Sequence, residues 1–166
     1  MSNQEKMSLK GKFHIEHYNK AGQLIGKYEV PNGIVDVGLN HILETEFNGG
    51  TPITAWYIGL VDNAGFSAFA NADIMSSHAG WVETHTTYSQ ATRPEWTAGT
   101  AASRAITNAA TVDFSMTATI TVHGIFITSV NTKGGTTGTL WSTAAFASNV
   151  TANNGDTLKV TYTVSG

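Results

Sequence analysis

The segment from residue 157 to residue 164 alternates polar and apolar side chains without exception. Residues 112–122 follow the same rule, with every even-numbered position apolar. Because successive side chains of a β-strand point to opposite faces, a period of two predicts strands with one face in a core and one face in water. Such strands are typical of antiparallel sheets, whose second face needs no cover. The two segments therefore predict a mainly β fold.

Further short strands follow from the spacing of Gly- and Asn-rich turns. Residues 12–30 predict an N-terminal hairpin around a Gly-containing turn at 19–22, and Pro31 is expected to end its second strand. Many short strands at this spacing favour an antiparallel β-sandwich or jelly-roll-like fold in a single domain, residues 11–166, over βαβ units. The other predicted strands are 53–61, 81–88, 101–107, 111–117, 118–129, 139–146 and 157–164.

One short α-helix is predicted at about residues 36–47. Four apolar residues share one face of a 3.6-residue period, Asp36 is placed to cap the first turn, and the Asn-Gly-Gly sequence at 48–50 ends the helix. Residues 53–61 are apolar on both faces, which predicts a central strand covered on one side by the sandwich and on the other by this helix. The four apolar helix residues are Leu39, Ile42, Leu43 and Phe47.

The alternation changes phase at Gly124. Apolar residues occupy even-numbered positions before this glycine and odd-numbered positions after it. A β-bulge is the simplest account of such a change. His123 is then expected on the polar face of the strand, beside Thr121.

Composition argues against several classes of function. The chain has no cysteine, so it has neither disulfides nor a thiolate metal site. A formal net charge of −3 without a cluster of Lys and Arg argues against direct nucleic-acid binding. The longest apolar run, around residues 53–61, is too short to span a bilayer, and the polar start lacks a signal-peptide core. We therefore expect no membrane association and a product made in the cytoplasm.

Charged residues are distributed unevenly along the chain. Of the 21 charged residues, 11 precede Asn48, and the 119 residues from there onward carry only 10. Charge alone protects such a segment poorly against association. Either other copies or a partner cover this surface, which predicts a homo-oligomer, or the chain is a stable monomer with a neutral Thr, Ser, Gly and Asn surface. Residues 1–10 are predicted to be a flexible arm of the kind that becomes ordered against a neighbour.

Six histidines raise the hypothesis of a metal site. His14 and His17 lie three residues apart, so on a strand they point to opposite faces and are poor co-ligands. His85 lies on the same face as Glu83, where the two side chains form either a surface pair or half of a divalent site. We predict no metal. Asp73 and His78 are further potential ligands, but no local spacing places them near this pair.

No motif in the chain indicates catalysis. Residues 22–27 resemble a phosphate-binding loop only superficially, because they lie in the hairpin and lack the Ser or Thr that follows the lysine. The glycine run at 134–138 is likewise interpreted as a turn. No Gly-x-Ser-x-Gly elbow is present, and no local spacing pairs two carboxylates for acid–base chemistry. We predict a protein without enzymatic activity, catalytic residues or a cofactor.

The connection at residues 89–99 holds the most distinctive local sequence, Arg93, Pro94, Glu95 and Trp96. Trp and Arg are enriched at interfaces because they offer large contact areas and directed hydrogen bonds. These four residues are therefore the candidate assembly contacts. In the alternative interpretation, Trp96 plugs the end of the sandwich and Arg93 binds a backbone carbonyl.

Four sequence strings occur in a familiar order: GLNHIL at 38–43 followed by the glycines at 49–50, WYIGLVD at 56–62, YSQATRP at 88–94 and TKGGTTGTLW at 132–141. Together they resemble small virion proteins of tailed bacteriophages, and most closely the capsid decoration, or cement, class. The resemblance spans about residues 32–164. It implies a β-sandwich or jelly roll on the capsid exterior that binds the major capsid protein lattice and ties neighbouring capsomers together, added after assembly in the host cytoplasm, with no cofactor.

Three other functions remain open at the level of sequence. A head-fibre or tail component is also a structural virion protein but differs in its position and copy number. A carbohydrate-binding module requires exposed aromatic side chains that stack on sugars. A small hydrolase has the least support. The aromatic candidates for sugar binding are Trp81, Tyr88, Trp96 and Trp141.

Overall fold

A computed structural model describes residues 8–166. Within this range the chain forms ten strands and one helix. The helix, α1, is Asp36–Phe47. The strands are β1 Lys10–Tyr18, β2 Leu24–Ile34, β3 Trp56–Asp62, β4 Glu83–Thr84, β5 Glu95–Trp96, β6 Ala105–Thr107, β7 Val112–Ser115, β8 Ile120–Thr128, β9 Leu140–Ala152 and β10 Thr157–Ser165.

All the strands pair antiparallel in one curled sheet, in the order β4-β3-β8-β9-β2-β1-β10-β6. β5 lies beside β3, and β7 lies beside β10. β2 joins the two halves of the sheet, because it pairs with β1 over most of its length and with β9 only at Gly33 and Ile34. The Trp96 indole donates a hydrogen bond to the Tyr162 carbonyl across the core at 3.1 Å. The predicted mainly β, antiparallel fold with one short helix is confirmed.

The N-terminal hairpin is longer than the sequence predicts. The turn at 19–22 is confirmed, and Gly22 has a φ of 77° there. Pro31 does not end the second strand: it pairs with Lys12, and β2 continues to Ile34. Proline is tolerated at this position because β9 joins β2 only after it, so the other edge of β2 has no ladder partner at Pro31.

The main core lies between the two halves of the sheet. The register predicted for the last strand is confirmed, since Leu158, Val160 and Tyr162 are at most 1% exposed and Val164 packs against the same core. The alternating run at 112–122 is divided between β7 and β8 by an exposed turn at Ala118. Other buried residues of this core include Phe13, Ile15, Ile58, Phe114, Val122, Ile125 and Phe146.

A second, smaller core covers the outer face of β3 and β8. It is built around Val61, Trp81 and Phe126, and its cover includes Phe66 and Phe69 from the connection between β3 and β4. The prediction that residues 53–61 are covered on both sides holds for the part that forms β3. The expected cover was wrong, because this connection supplies most of it and the helix contacts mainly β9.

Helix α1 has the predicted limits but not the predicted N-terminal cap. Val35 precedes its first turn, Asp36 lies inside that turn, and no side chain caps it, so the prediction of Asp36 as the cap was wrong. The predicted end is confirmed, because the amides of Asn48 and Gly50 both donate to the Glu44 carbonyl. Gly38 is the buried residue of the helix.

Several details of the predicted strands also differ. The segments 81–88 and 101–107 are mostly irregular, and only Glu83–Thr84 and Ala105–Thr107 within them are strands. The bulge at Gly124 is confirmed by a shift in register between β8 and β9.

The predicted arm at residues 1–10 lies largely outside the described residues. Of its last three positions, Leu9 packs against the main core and Lys10 begins β1. Among residues 8–166, no helix combines the length and hydrophobicity needed to cross a lipid bilayer.

Candidate interaction surfaces

Arg93 holds three segments of the chain together. Its side chain is 1% exposed and donates four hydrogen bonds. Nε and Nη2 bind the two carboxylate oxygens of Glu83 at 2.9 and 2.8 Å. Nη1 donates to the Val130 carbonyl at 2.8 Å, and Nη2 also donates to the Gly135 carbonyl at 2.9 Å. Four of the five guanidinium N–H groups therefore donate to partners inside the molecule.

The partner carboxylate is equally well satisfied. The Glu83 side chain is 6% exposed and also accepts a hydrogen bond from the Gly134 amide at 2.7 Å. The Arg93 guanidinium lies 5.3 Å from the centre of the Phe126 ring, which shields one of its faces. Bidentate pairing, with further hydrogen bonds to both partners, is the arrangement that makes a buried ion pair tolerable.

Lys133 adds a second tie between the same segments. Its ammonium donates to the carbonyls of Tyr88 and Gln90 at 3.2 and 2.8 Å and lies 3.9 Å from the centre of the Tyr88 ring. Partial burial lowers the pKa of this lysine. Together with Arg93, it holds the connection at 89–99 in a fixed position against the turn at 130–138.

Trp96 closes the end of the sandwich. It is 8% exposed, belongs to the main core, and donates its indole N–H to the Tyr162 carbonyl. The alternative interpretation of the sequence, a core plug at Trp96 and a carbonyl-binding Arg93, matches this geometry. Both side chains are inaccessible to a partner in this fold, so neither is a candidate contact any longer. Of the four candidates, Pro94 is half-buried and Glu95 is exposed.

The histidines do not converge on a metal site. His14 and His17 lie on opposite faces, as predicted. The Glu83 carboxylate faces Arg93 while His85 is exposed, so these two residues are not a ligand pair. Among the described residues, no three His, Asp or Glu side chains are close enough together to hold an ion. His123 lies on the polar face, as predicted, and its Nδ1 donates to the Asn149 amide oxygen at 2.7 Å.

His17 forms a buried pair with Asp156. Its Nε2 donates to the carboxylate at 2.8 Å, and both side chains are at most 4% exposed. Burial alone raises the pKa of Asp156, but hydrogen bonds from the Asn153 amide and His17 outweigh it and hold this pKa below its usual range. The pair fixes the turn before β10 against β1.

The aromatic candidates for sugar stacking are all buried. Trp81 is 1% exposed, and the other three are at most 8% exposed. The Trp141 indole donates to the Tyr162 hydroxyl at 2.8 Å inside the main core. The carbohydrate-binding alternative therefore has none of its proposed platform at the surface.

Helix α1 presents an apolar stripe to the outside. Leu39, Leu43 and Phe47 are 39%, 56% and 83% exposed. The sequence predicted these three residues and Ile42 in the core. Ile42 packs against the main core, but the prediction was wrong for the other three. A Cβ on Gly38 would lie 2.6 Å from the Trp141 carbonyl oxygen, so the helix approaches β9 through its glycine and directs the opposite face outward. We call Leu39, Leu43 and Phe47 the helix patch.

A second exposed apolar pair lies near the tip of the hairpin. Leu24 and Ile25 are 44% and 53% exposed. Ile25 has no partner on β1, because Leu24 pairs with Tyr18 and Gly26 pairs with His17. We call Leu24, Ile25 and the two flanking lysines, Lys20 and Lys27, the hairpin patch.

Comparison with known proteins assigns this chain to no family. No protein-family model matches it, and no curated protein matches it significantly. The functional argument therefore depends on the residues and the geometry described above.

Proposed function

We propose that this protein is a structural virion protein of a tailed phage that decorates and stabilises the outer surface of the capsid by binding major capsid protein subunits. It acts as a homo-oligomer and needs no cofactor or catalytic residue. The resemblance of the four sequence strings to capsid decoration proteins supports this proposal, as does the β-sandwich architecture that such proteins commonly have.

The helix patch is the observation that carries an assembly role. An exposed apolar stripe on a helix is typical of a surface that another protein covers. If each full side chain contributes about 2 kcal/mol on burial, the exposed fractions of the three residues correspond to roughly 3.5 kcal/mol. This is close to the free energy of a millimolar Kd. One such contact is weak, so the function fits a lattice on which many contacts form together.

The connection at 89–99 is the candidate surface for contact with the shell. Its backbone is fixed, because the Arg93 amide donates to the Asn131 carbonyl and the Pro94 carbonyl accepts from the Ile58 amide. Its exposed residues, which include Thr92 and Glu95, are small or polar. A rigid surface binds with little loss of conformational entropy, which favours contact with a preformed shell.

A head-fibre or tail protein is the remaining alternative. It shares the need for a covered apolar surface and differs in copy number. A decoration protein approaches a simple ratio to the major capsid protein, whereas a vertex or tail component is present in few copies per particle.

Co-sedimentation with capsid shells that lack this protein tests the proposal. We expect the wild-type chain to saturate the shells at a fixed ratio and Glu95→Lys to lower the occupancy. The matched control is the double variant Ala147→Lys and Ser148→Lys, which changes the net charge by the same amount at exposed positions and should bind normally. A wild-type protein that never sediments with shells contradicts the function. Normal binding by Glu95→Lys contradicts only the assignment of the surface.

A further inference from the structure

We propose that the helix patch of one copy binds the hairpin patch of the next copy, head to tail. This inference deepens the proposed function, because it assigns the contact that forms the homo-oligomer. The occupant of the helix patch is thus a second copy of this chain.

The two patches have opposite charge. Helix α1 carries Asp36, Glu44 and Glu46 and neither Lys nor Arg, and none of these three acids forms an ion pair within residues 8–166. Residues 19–27 carry Lys20 and Lys27 and no acidic residue. Complementary charge around apolar side chains favours their association and sets its orientation.

The helix itself favours an external cation. Its last turn holds Glu44 and Glu46 with no basic residue, and the partial negative charge of the helix dipole lies at the same end. No Lys or Arg occurs between Lys27 and Arg93, so the neighbouring sequence supplies no cation. A lysine from another copy would relieve this concentration of negative charge.

The hairpin patch retains positive charge in the folded chain. Lys20 is exposed and has no carboxylate partner among the described residues. Lys27 binds Glu16 at 2.8 Å, but its side chain remains 56% exposed. Leu24 and Lys27 pair with Tyr18 and Glu16, which lie two residues apart on β1 and therefore share a face. The patch thus places an apolar side chain beside a lysine.

The patches lie at opposite ends of the molecule and cannot meet within one chain. Gly38 approaches Trp141 at the start of β9, which places the helix at that end. Lys20 lies beside Gly155, just beyond the other end of β9. β2 runs from the hairpin tip towards the helix, and its ten steps of about 3.3 Å span roughly 33 Å. The contact is therefore intermolecular.

Contact between two different patches is heterologous. Repetition of the same contact produces a closed ring when the rotation between copies closes, and an open chain of copies when it does not. Each copy in the interior of such an assembly uses both patches, and this property makes the arrangement testable by mixing variants.

Sedimentation velocity and light scattering over a concentration series test the contact with the purified full chain, in the absence of any shell. The helix variant carries Leu43→Gln and Phe47→Gln, and the hairpin variant carries Leu24→Thr and Ile25→Thr. We expect the wild type to self-associate as its concentration approaches millimolar and each variant to do so at least tenfold more weakly. The control variant, Ile74→Thr with Val82→Thr, removes two other exposed apolar residues and should associate normally.

Mixing the two variants distinguishes a head-to-tail contact from all others. Each retains the patch that the other lacks, so the mixture should form a 1:1 complex with the mass of two chains and grow no further. Circular dichroism and melting temperature confirm that each variant is folded. Lys20→Glu provides a second probe of the hairpin patch and should also weaken self-association.

Four results would overturn the inference: a wild type that stays monomeric throughout the series, normal association by the helix variant, normal association by the hairpin variant, or a mixture that forms no complex. If only the helix variant loses association, helix patches bind each other. No shell is present in this assay, so a negative result contradicts only the contact between copies. The proposed decoration of capsids is tested separately by co-sedimentation.

Discussion

Replacement of Arg93 by methionine should strongly destabilise the fold. The substitution keeps most of the side-chain volume but removes the guanidinium that binds Glu83, Val130 and Gly135. The Glu83 carboxylate would keep the Gly134 amide as a donor but would lose its only ion-pair partner among the described residues. The change therefore separates the contribution of the ion pair from that of simple packing.

The expected loss follows from the burial of both partners. Removing one member of a buried ion pair costs about 3–5 kcal/mol, because the other charge is left uncompensated. Domain stabilities are about 5–15 kcal/mol, so this loss is a large fraction of the total. At about 2–4 °C per kcal/mol for a domain of this size, the melting temperature should fall by roughly 12 °C.

Urea and thermal denaturation of Arg93→Met, Glu83→Leu and the double variant measure this cost. The double variant should lose less stability than the sum of the two single variants, since it buries no unpaired charge. A loss below about 0.5 kcal/mol for Arg93→Met would refute the argument, because surface substitutions commonly have effects of this size. Strict additivity would also refute it.

Three further perturbations test the core, the helix and the acid stability of the fold. Val160→Asp should cost several kcal/mol by burying a carboxylate without a partner, whereas Thr161→Asp on the polar face should be mild; equal melting temperatures would contradict the register. Gly38→Ala should lower the free energy of unfolding in urea by about 1–3 kcal/mol, because the added carbon forces the helix away from β9. Gly33→Ala is the control and should change this free energy much less, since no atom lies within 4 Å of its added carbon. The pKa of Asp156 is lower in the folded chain than in the unfolded chain, so the ionised carboxylate stabilises the fold above the unfolded pKa of about 3.9, and this stability is lost as the pH falls through the folded pKa. Asp156→Asn should therefore flatten the decline of stability in acid. An unchanged pH profile would contradict this role.

The strands with strict alternation could be predicted from sequence because a strand with one buried face carries apolar residues at every second position. Leu158, Val160 and Tyr162 occupy the core as the pattern indicates. The helix limits were also readable, since the period changes at Asp36 and the chain turns at Gly49. These features depend on local sequence alone.

The orientation of the helix was not predictable in the same way. A period of 3.6 residues identifies which side chains share a face, but it does not identify the face that meets the sheet. Gly38 decides this, because its missing side chain allows close approach to Trp141, and a single glycine within a helix has no such meaning in sequence alone. The apolar stripe was therefore placed in the core instead of on the surface.

The role of Arg93 depends on contacts between distant segments. Glu83 lies ten residues away, and the carbonyls that complete the site belong to Val130 and Gly135, about forty residues away. No local spacing indicates these partners. The composition of the 89–99 connection makes it distinctive in sequence, but a residue type that is common at interfaces also serves as a buried link between loops.

Electron cryomicroscopy of purified particles from the source, combined with protein quantification of the same particles, tests the proposed function most directly. The proposal predicts density for this fold at regular positions over the capsid exterior and a simple ratio to the major capsid protein. Absence from the capsid surface, or presence at only a vertex or the tail in a few copies per particle, would contradict it.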